Sequence, residues 1–217
     1  LSRMALCQAK LGDHTNAITS LQTYIAELPT GPEKVLATFR LAESLRQTEQ
    51  STNAIARYGQ VIAMVTEQGA KYAPTPEDAA RNREVLELAM YYQPYCYSRM
   101  KKPESQVGAF QAKATEGFTA MLKEFPKSKM APSALSIMGT LLYVQSKAAE
   151  ASAVYERLKR DFPDSEQAKN VVFARGEGVG TQVVAFDLAW TSGPGPETLL
   201  STDAEGSTPR IFRNVVV

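Results

Sequence analysis

The sequence predicts an all-α fold, a solenoid of about four stacked antiparallel helix pairs, followed by a short β-rich tail. Three observations predict it. The frame Phe-Pro-x-Ser-x-x-Ala occurs twice, beginning at Phe125 and at Phe162, 37 positions apart. Ala17, Ala54, Ala114 and Ala151 stand 37, 60 and 37 residues apart, and each is followed one turn later by Leu21, Tyr58, Phe118 or Tyr155. Ala5, Ala42 and Gly139 precede three of these alanines by 12 residues, and Pro29, Pro126 and Pro163 follow three of them by 12. Small side chains at matched positions let two antiparallel helices approach, and the large residue one turn on fills the space beside the crossing.

The elements follow in order. Residues 1–11 and 15–28 form a pair broken at Gly12-Asp13 and closed by Pro29-Thr30-Gly31-Pro32. Residues 33–48 and 52–68 form the next, joined around Glu49-Gln50-Ser51, although Thr66 stands where this unit should have its proline. After Pro74-Thr75-Pro76, residues 77–100 make a long helix, and Pro94 inside it removes a backbone donor and predicts a kink. Ala89 is the small residue expected of this extended pair, which 104–124 completes after the turn at Lys101-Lys102-Pro103. Residues 129–145 and 148–161 are bounded by the two Phe-Pro frames, with Ser128 and Ser165 placed to cap free amides. A last helix over 165–174 closes the stack.

Helix pairs of this design resemble the tetratricopeptide repeat. Its usual unit has about 34 residues, with a bulky-x-x-Leu-Gly-x-x-Tyr opening, an Ala-x-x-x-Phe centre and a closing proline. The nearest match runs Leu135, Met138-Gly139, Leu142, then Ala151 and Tyr155, then Pro163. The longer spacing and the Phe-Pro-x-Ser-x-x-Ala junctions look like the bacterial subclass found in periplasmic Tol-Pal coordinators and outer-membrane assembly lipoproteins. The resemblance covers residues 1–174. It implies a right-handed superhelix acting as a non-catalytic scaffold, with a periplasmic or outer-membrane-associated location.

Residues 175–217 change character. Gly176, Gly178 and Gly180 form a junction, and β-rich stretches follow at 181–190, 198–202 and 211–217. They read as the start of a further domain or as a short meander. Likewise, the opening at Leu1 inside a helical pattern reads as a fragment whose start lies upstream.

Composition narrows the function. Of 217 residues, 44% are hydrophobic and 22% charged, and 24 basic residues balance 23 acidic ones to a net charge of +1. That balance provides no electrostatic case for nucleic acid, and no apolar run reaches the roughly 20 residues of a membrane span. Gly176-x-Gly178-x-Gly180 follows a helix and precedes a strand, the reverse of a dinucleotide loop, so it reads as a junction. Asp203 and Glu205 beside Gly206 lack the ligand spacing of a calcium loop and read as a turn. His14 is the sole histidine, read as an exposed turn residue. Cys7 and Cys96 read as buried apolar thiols. No catalytic residue, cofactor site or metal site is expected.

Interaction residues are a different matter. Tyr91, Tyr92, Tyr95 and Tyr97 crowd one helix beside Pro94 and either fill a larger core or line a recognition surface. In the family resembled here, the first helix of each pair lines a concave groove. That placement assigns it Leu6, Lys10, Phe39, Glu43, Arg46, Ser136, Thr140 and Tyr143, joined by Tyr92 and Tyr95 from the tyrosine cluster. A protein or peptide partner is the implied ligand. The lysines and asparagines with which one subclass clamps a terminal carboxylate are replaced by Ser2, Phe39 and Ser136 and by Leu6, Glu43 and Thr140. Two other readings stand beside this one: an accessory region of an enzyme whose catalytic domain lies elsewhere, and a structural subunit that associates with itself.

Overall fold

A computed structural model describes the backbone of residues 2–175, 181–185, 199–202 and 209–212. Side chains are described for residues 4, 5, 7–9 and 11–171. The chain divides into two compact units, Leu1–Ser128 and Lys129–Val217.

In the first unit, α1 (Ser2–Lys10) and α2 (His14–Glu27) pack as a hairpin, as do α3 (Pro32–Gln47) and α4 (Ser51–Thr66). The short α5 (Gly69–Tyr72) leads to α6 (Pro76–Arg99), which packs on α4 and pairs with α7 (Val107–Glu124). Local chemistry sets these limits. Asp13 caps α2 by accepting from the Asn16 amide, and Thr75 caps α6 by accepting from the Asp78 amide at 3.1 Å. Pro32 and Pro76 sit in first turns, where no backbone donor is missed.

The second unit has α8 (Ala131–Val144) paired with α9 (Ala148–Asp161), then α10 (Glu166–Lys169) packed on both. Strand β1 (Val171–Arg175) pairs antiparallel with β2 (Thr181–Ala185), and β3 (Leu199–Thr202) with β4 (Pro209–Phe212). The closing helix is shorter than expected and ends at Lys169, because the β-branched pair Val171-Val172 favours an extended backbone. The glycine junction, the Asp203–Glu205 turn and residues 186–190, 198 and 213–217 of the expected β-rich stretches lie outside the described residues.

The register read from spacing is the register of the core. Ala5, Ala17, Ala42, Ala54, Ala89, Ala114 and Ala151 are all 0% exposed, and Leu21, Tyr58, Phe118 and Tyr155 are buried beside them. The closest approach is at Gly139, where an added Cβ would lie 2.5 Å from Cζ of Tyr155. Gly117 faces Pro94 in the same way, at 2.8 Å from its Cβ. Helix α6 runs on through Pro94 to Arg99, so the proline becomes the knob that α7 packs around.

Three hairpin turns share one geometry. Gly12, Glu49 and Ser146 have φ of 81°, 59° and 62°, in the left-handed region. Each donates its amide three residues back, to Ala9, Arg46 and Tyr143, and the next residue donates five back, to Gln8, Leu45 and Leu142. This end motif satisfies carbonyls left free by the helix, and glycine is its least strained occupant.

Several expectations are corrected. Helix α8 begins at Ala131 with Met130 at its cap position, two residues after the expected start at Lys129. Ser165 does cap α10, accepting from the Ala168 amide at 3.2 Å. Cys7 is exposed, whereas Cys96 is buried. His14 is half-buried in the first turn of α2 with Nδ1 enclosed, where an exposed turn residue was expected. Nothing in the spacing announced α5, which the buried Asn82 holds by donating to the Tyr72 carbonyl at 2.9 Å.

Candidate functional site

Five of the expected interaction residues meet in the first unit, where α3, α4 and α6 pack together. Helix α3 presents Phe39, Glu43 and Arg46 on one face, at the three- and four-residue spacing that aligns side chains along a helix. Helix α4 contributes Tyr58, and α6 contributes Tyr92, Tyr95 and Cys96.

A continuous run of rings forms the base. Phe39 leans on Tyr58 at a centroid distance of 5.9 Å, and Tyr58 stacks on Tyr92 at 6.0 Å with planes 23° apart. Tyr91 and Tyr95 both meet Tyr92 edge-on, and Tyr91 continues to Phe118 of α7 at 5.9 Å. Phe39, Tyr58 and Tyr91 are buried, while Tyr92, Tyr95 and Tyr97 are half-buried. The tyrosine cluster therefore divides: Tyr91 belongs to the core, and Tyr92 and Tyr95 lie at its edge. Phe39 is corrected from groove residue to core residue, because Tyr58 and the helix crossing enclose it.

Arg46 lies over this base, with its guanidinium carbon 4.6 Å from the Tyr92 ring centre. Its side chain is 21% exposed, and Nη2 is 3.6 Å from Oε1 of Glu43. Burial works against its charge, but Tyr58, Tyr92 and Glu43 outweigh that effect, so the pKa is raised and the guanidinium stays protonated. Burial pushes the Tyr58 and Tyr92 phenols up, with Arg46 pulling partly back. The Cys96 thiol is pushed up to about 11 by burial, also against Arg46. Arg46 Nε and the Tyr58 hydroxyl are buried without a hydrogen bond of good geometry, and the looser side-chain contact of the guanidinium with Tyr58 favours the charge on Arg46. Arg99 covers Tyr95 at 5.9 Å, adding a second cation to the edge.

The remaining expected residues fall elsewhere. The side chains of Leu6 and Lys10 lie outside the described residues. Ser136, Thr140 and Tyr143 stand on α8 of the second unit. Ser136 is buried there, and Thr140 is engaged internally. Thr140 Oγ1 donates to the Ser136 carbonyl at 3.1 Å, so at 3.0 Å it accepts from the Tyr155 hydroxyl. Tyr143 is half-buried. Spacing missed Tyr58 as a polar participant, since its place in the repeat marked it only as core. The one signal for it was a hydroxyl at a position that Leu21 and Phe118 fill without one.

The cluster offers a fixed cation and aromatic surface, and no nucleophile beside a base. Among the described residues, no group of three His, Cys, Asp or Glu could hold a metal ion. None of the described helices is long and apolar enough to cross a membrane.

Residues 1–30 match the tetratricopeptide repeat family model, a span that takes in α1, α2 and the closing Pro29. A solved structure of kinesin light chain nearly identical TPR-like repeats from Podosopora anserina is similar at 12% identity and a TM-score of 0.35. That likeness covers 73% of this chain and 91% of that one. No curated protein matches the chain.

Proposed function

We propose that the chain is a non-catalytic interaction module that holds a protein or peptide partner on the Arg46–Tyr92–Tyr95 face, within a larger bacterial envelope protein. One observation carries this reading: a protonated arginine, partly stripped of water, lies on half-buried tyrosines at the edge of the α3–α4–α6 core. Arginine and tyrosine are over-represented among residues that dominate binding energy, because they offer large rigid contact area with polar ends. The match of residues 1–30 to a repeat whose members commonly bind proteins supports the class of function. The two Phe-Pro-x-Ser-x-x-Ala junctions support the envelope subclass. Tyr143 and Thr140 occupy on α8 of the second unit the repeat positions of Arg46 and Glu43.

Affinity capture from cells that carry the protein tests this reading. The tagged chain should recover one envelope protein reproducibly, and Arg46→Ala or Tyr95→Ala should cut recovery by about tenfold, the loss of a single hot-spot residue. Both variants should keep the wild-type helical circular dichroism. Undiminished recovery with both variants overturns the assignment of this face. Concentration-dependent assembly in sedimentation, with no partner recovered, would replace it with self-association.

A further inference from the structure

We infer that Gln93 and Pro94 form a two-sided key, seated against Gly59 of α4 and Gly117 of α7, that fixes the position of α6 and thereby orients Tyr92 and Tyr95. The four residues are consecutive, Tyr92-Gln93-Pro94-Tyr95, and the turn of the helix divides their directions. The outer two form the half-buried aromatic edge, and the inner two enter the neighbouring helices on either side.

On the α4 side, Gln93 Nε2 donates to the Ile55 carbonyl at 3.2 Å. That carbonyl lies inside α4, where the Gly59 amide takes one of its lone pairs and Gln93 takes the other. The approach requires glycine, since a Cβ on residue 59 would stand 2.8 Å from Nε2. On the α7 side, the buried Pro94 ring fills the place of a side chain at Gly117, where a Cβ would meet its Cβ at 2.8 Å and its Cγ at 3.2 Å.

The position of the key in α6 gives it a consequence. Pro94 offers no amide to the Met90 carbonyl, so the helix resists bending least at this level. Helix α6 nevertheless runs unbroken from Pro76 to Arg99. A bend or slip here would carry Tyr95 away and would part the Tyr92 ring from Tyr58, 6.0 Å away, and from the Arg46 guanidinium, 4.6 Å away. The two sides differ in stiffness. A methyl at 59 displaces only the mobile end of Gln93 and costs one hydrogen bond, whereas a methyl at 117 meets a ring that cannot turn aside.

Cys96, buried on α6 one turn from Gln93, reports the seating of this helix, and the exposed Cys7 is the reference. The test compares native-state labelling of the full 217-residue chain by a thiol reagent with its unfolding in urea. Gln93→Glu keeps the shape and removes the donor. It should speed Cys96 labelling about fivefold, the scale of one internal hydrogen bond, and leave Cys7 unchanged. Gly59→Ala should match it while the urea midpoint stays close to wild type, since alanine strengthens α4 as the bond is lost. The double variant should label no faster than either single one, because both remove the same bond. Gly117→Ala should label fastest. In every variant the labelling should vary little with dilute urea, the mark of local opening as against global unfolding. Additive effects of Gly59→Ala and Gln93→Glu, or labelling that follows urea as steeply as global unfolding does, overturn the key and reduce these residues to general packing. Unchanged Cys96 labelling in all three single variants overturns it as well. No partner enters the experiment, so its outcome is independent of what the face binds.

Discussion

The α8–α9 and α3–α4 hairpins carry the same register 97 positions apart. Gly139, Thr140, Tyr143 and Tyr155 in one correspond to Ala42, Glu43, Arg46 and Tyr58 in the other. Both place an aromatic residue over a small one at the helix crossing, and both buried tyrosines are at most 1% exposed. Their polar ends are handled differently. In α8–α9 the Tyr155 hydroxyl is bonded to Thr140, and Thr140 to the Ser136 carbonyl. In α3–α4 the residue equivalent to Thr140 is Glu43, which turns to Arg46, and the Tyr58 hydroxyl has only a looser contact with the Arg46 guanidinium. The repeat register brings the helices together in both cases. The polar residues that follow the small one decide whether the tyrosine hydroxyl meets a neutral hydroxyl or a charged guanidinium.

The largest effect that would sharpen this comparison is expected at Gly139. In Gly139→Ala the new methyl would meet Tyr155 ring atoms at 2.5, 2.6 and 2.8 Å. The aromatic ring cannot yield as a flexible chain end would, so urea unfolding should show a loss of about 1–3 kcal/mol. Pairing the change with Tyr155→Leu should recover part of that loss, because the two residues share one contact.

Removing the two hydroxyls tests the polar contrast directly. Tyr155→Phe should cost about 1 kcal/mol, the net value of an internal hydrogen bond. Tyr58→Phe should cost less than that, since the buried hydroxyl makes no hydrogen bond of good geometry and only its looser contact with Arg46 is lost. Equal losses at the two sites would break the comparison, by showing that Tyr58 is as well satisfied as Tyr155.

Smaller effects are expected in the turns, where the two hairpins agree. Glu49 and Ser146 hold left-handed backbone at the place where the first hairpin has Gly12. Glu49→Gly and Ser146→Gly should each gain about 0.5 kcal/mol, as relief of that conformation is set against the greater freedom of glycine when unfolded. A loss in either variant would mean that the side chain contributes more than its backbone costs.

The last contrast is one of pH. The Cys96 thiol titrates near 9.0 in its ordinary state and at about 11 in the folded protein, raised by burial and only partly lowered by Arg46. Its folded pKa is raised, so its contribution is complete below pH 9 and is lost as pH rises towards 11. Thermal unfolding between pH 8 and 11 should show a decline that is shallower in Cys96→Ala. In the folded wild type at pH 8, an alkylating reagent should label the exposed Cys7 and spare Cys96.

Helix positions and the core register were legible from spacing because both depend on local periodicity. A residue at Ala17, Ala54, Ala114 or Ala151 is buried whichever helix covers it. Helix limits were legible where Pro32, Thr75 or Ser165 provides a local signal. They were misplaced at Ser128, where the frame is the same but two further turn residues precede α8. The four-residue α5 has no period to read, and its anchor, Asn82, comes ten residues later. Cys7 shows a further limit: the helical pattern placed it on α1, but only the packing of α2 decides which side of that helix is covered.

Sequence alone determined that small and large residues recur in phase, and therefore that the helices fold back on one another in pairs. That information is local, because a helix turns every 3.6 residues and its own spacing states which side chains share a face. Tertiary structure alone decided that Arg46 lies on Tyr92, 46 residues away, that Phe39 is enclosed, and that the Tyr58 hydroxyl meets the Arg46 guanidinium. Those outcomes depend on how deeply α6 seats against α3 and α4, which side-chain volumes across three helices settle together.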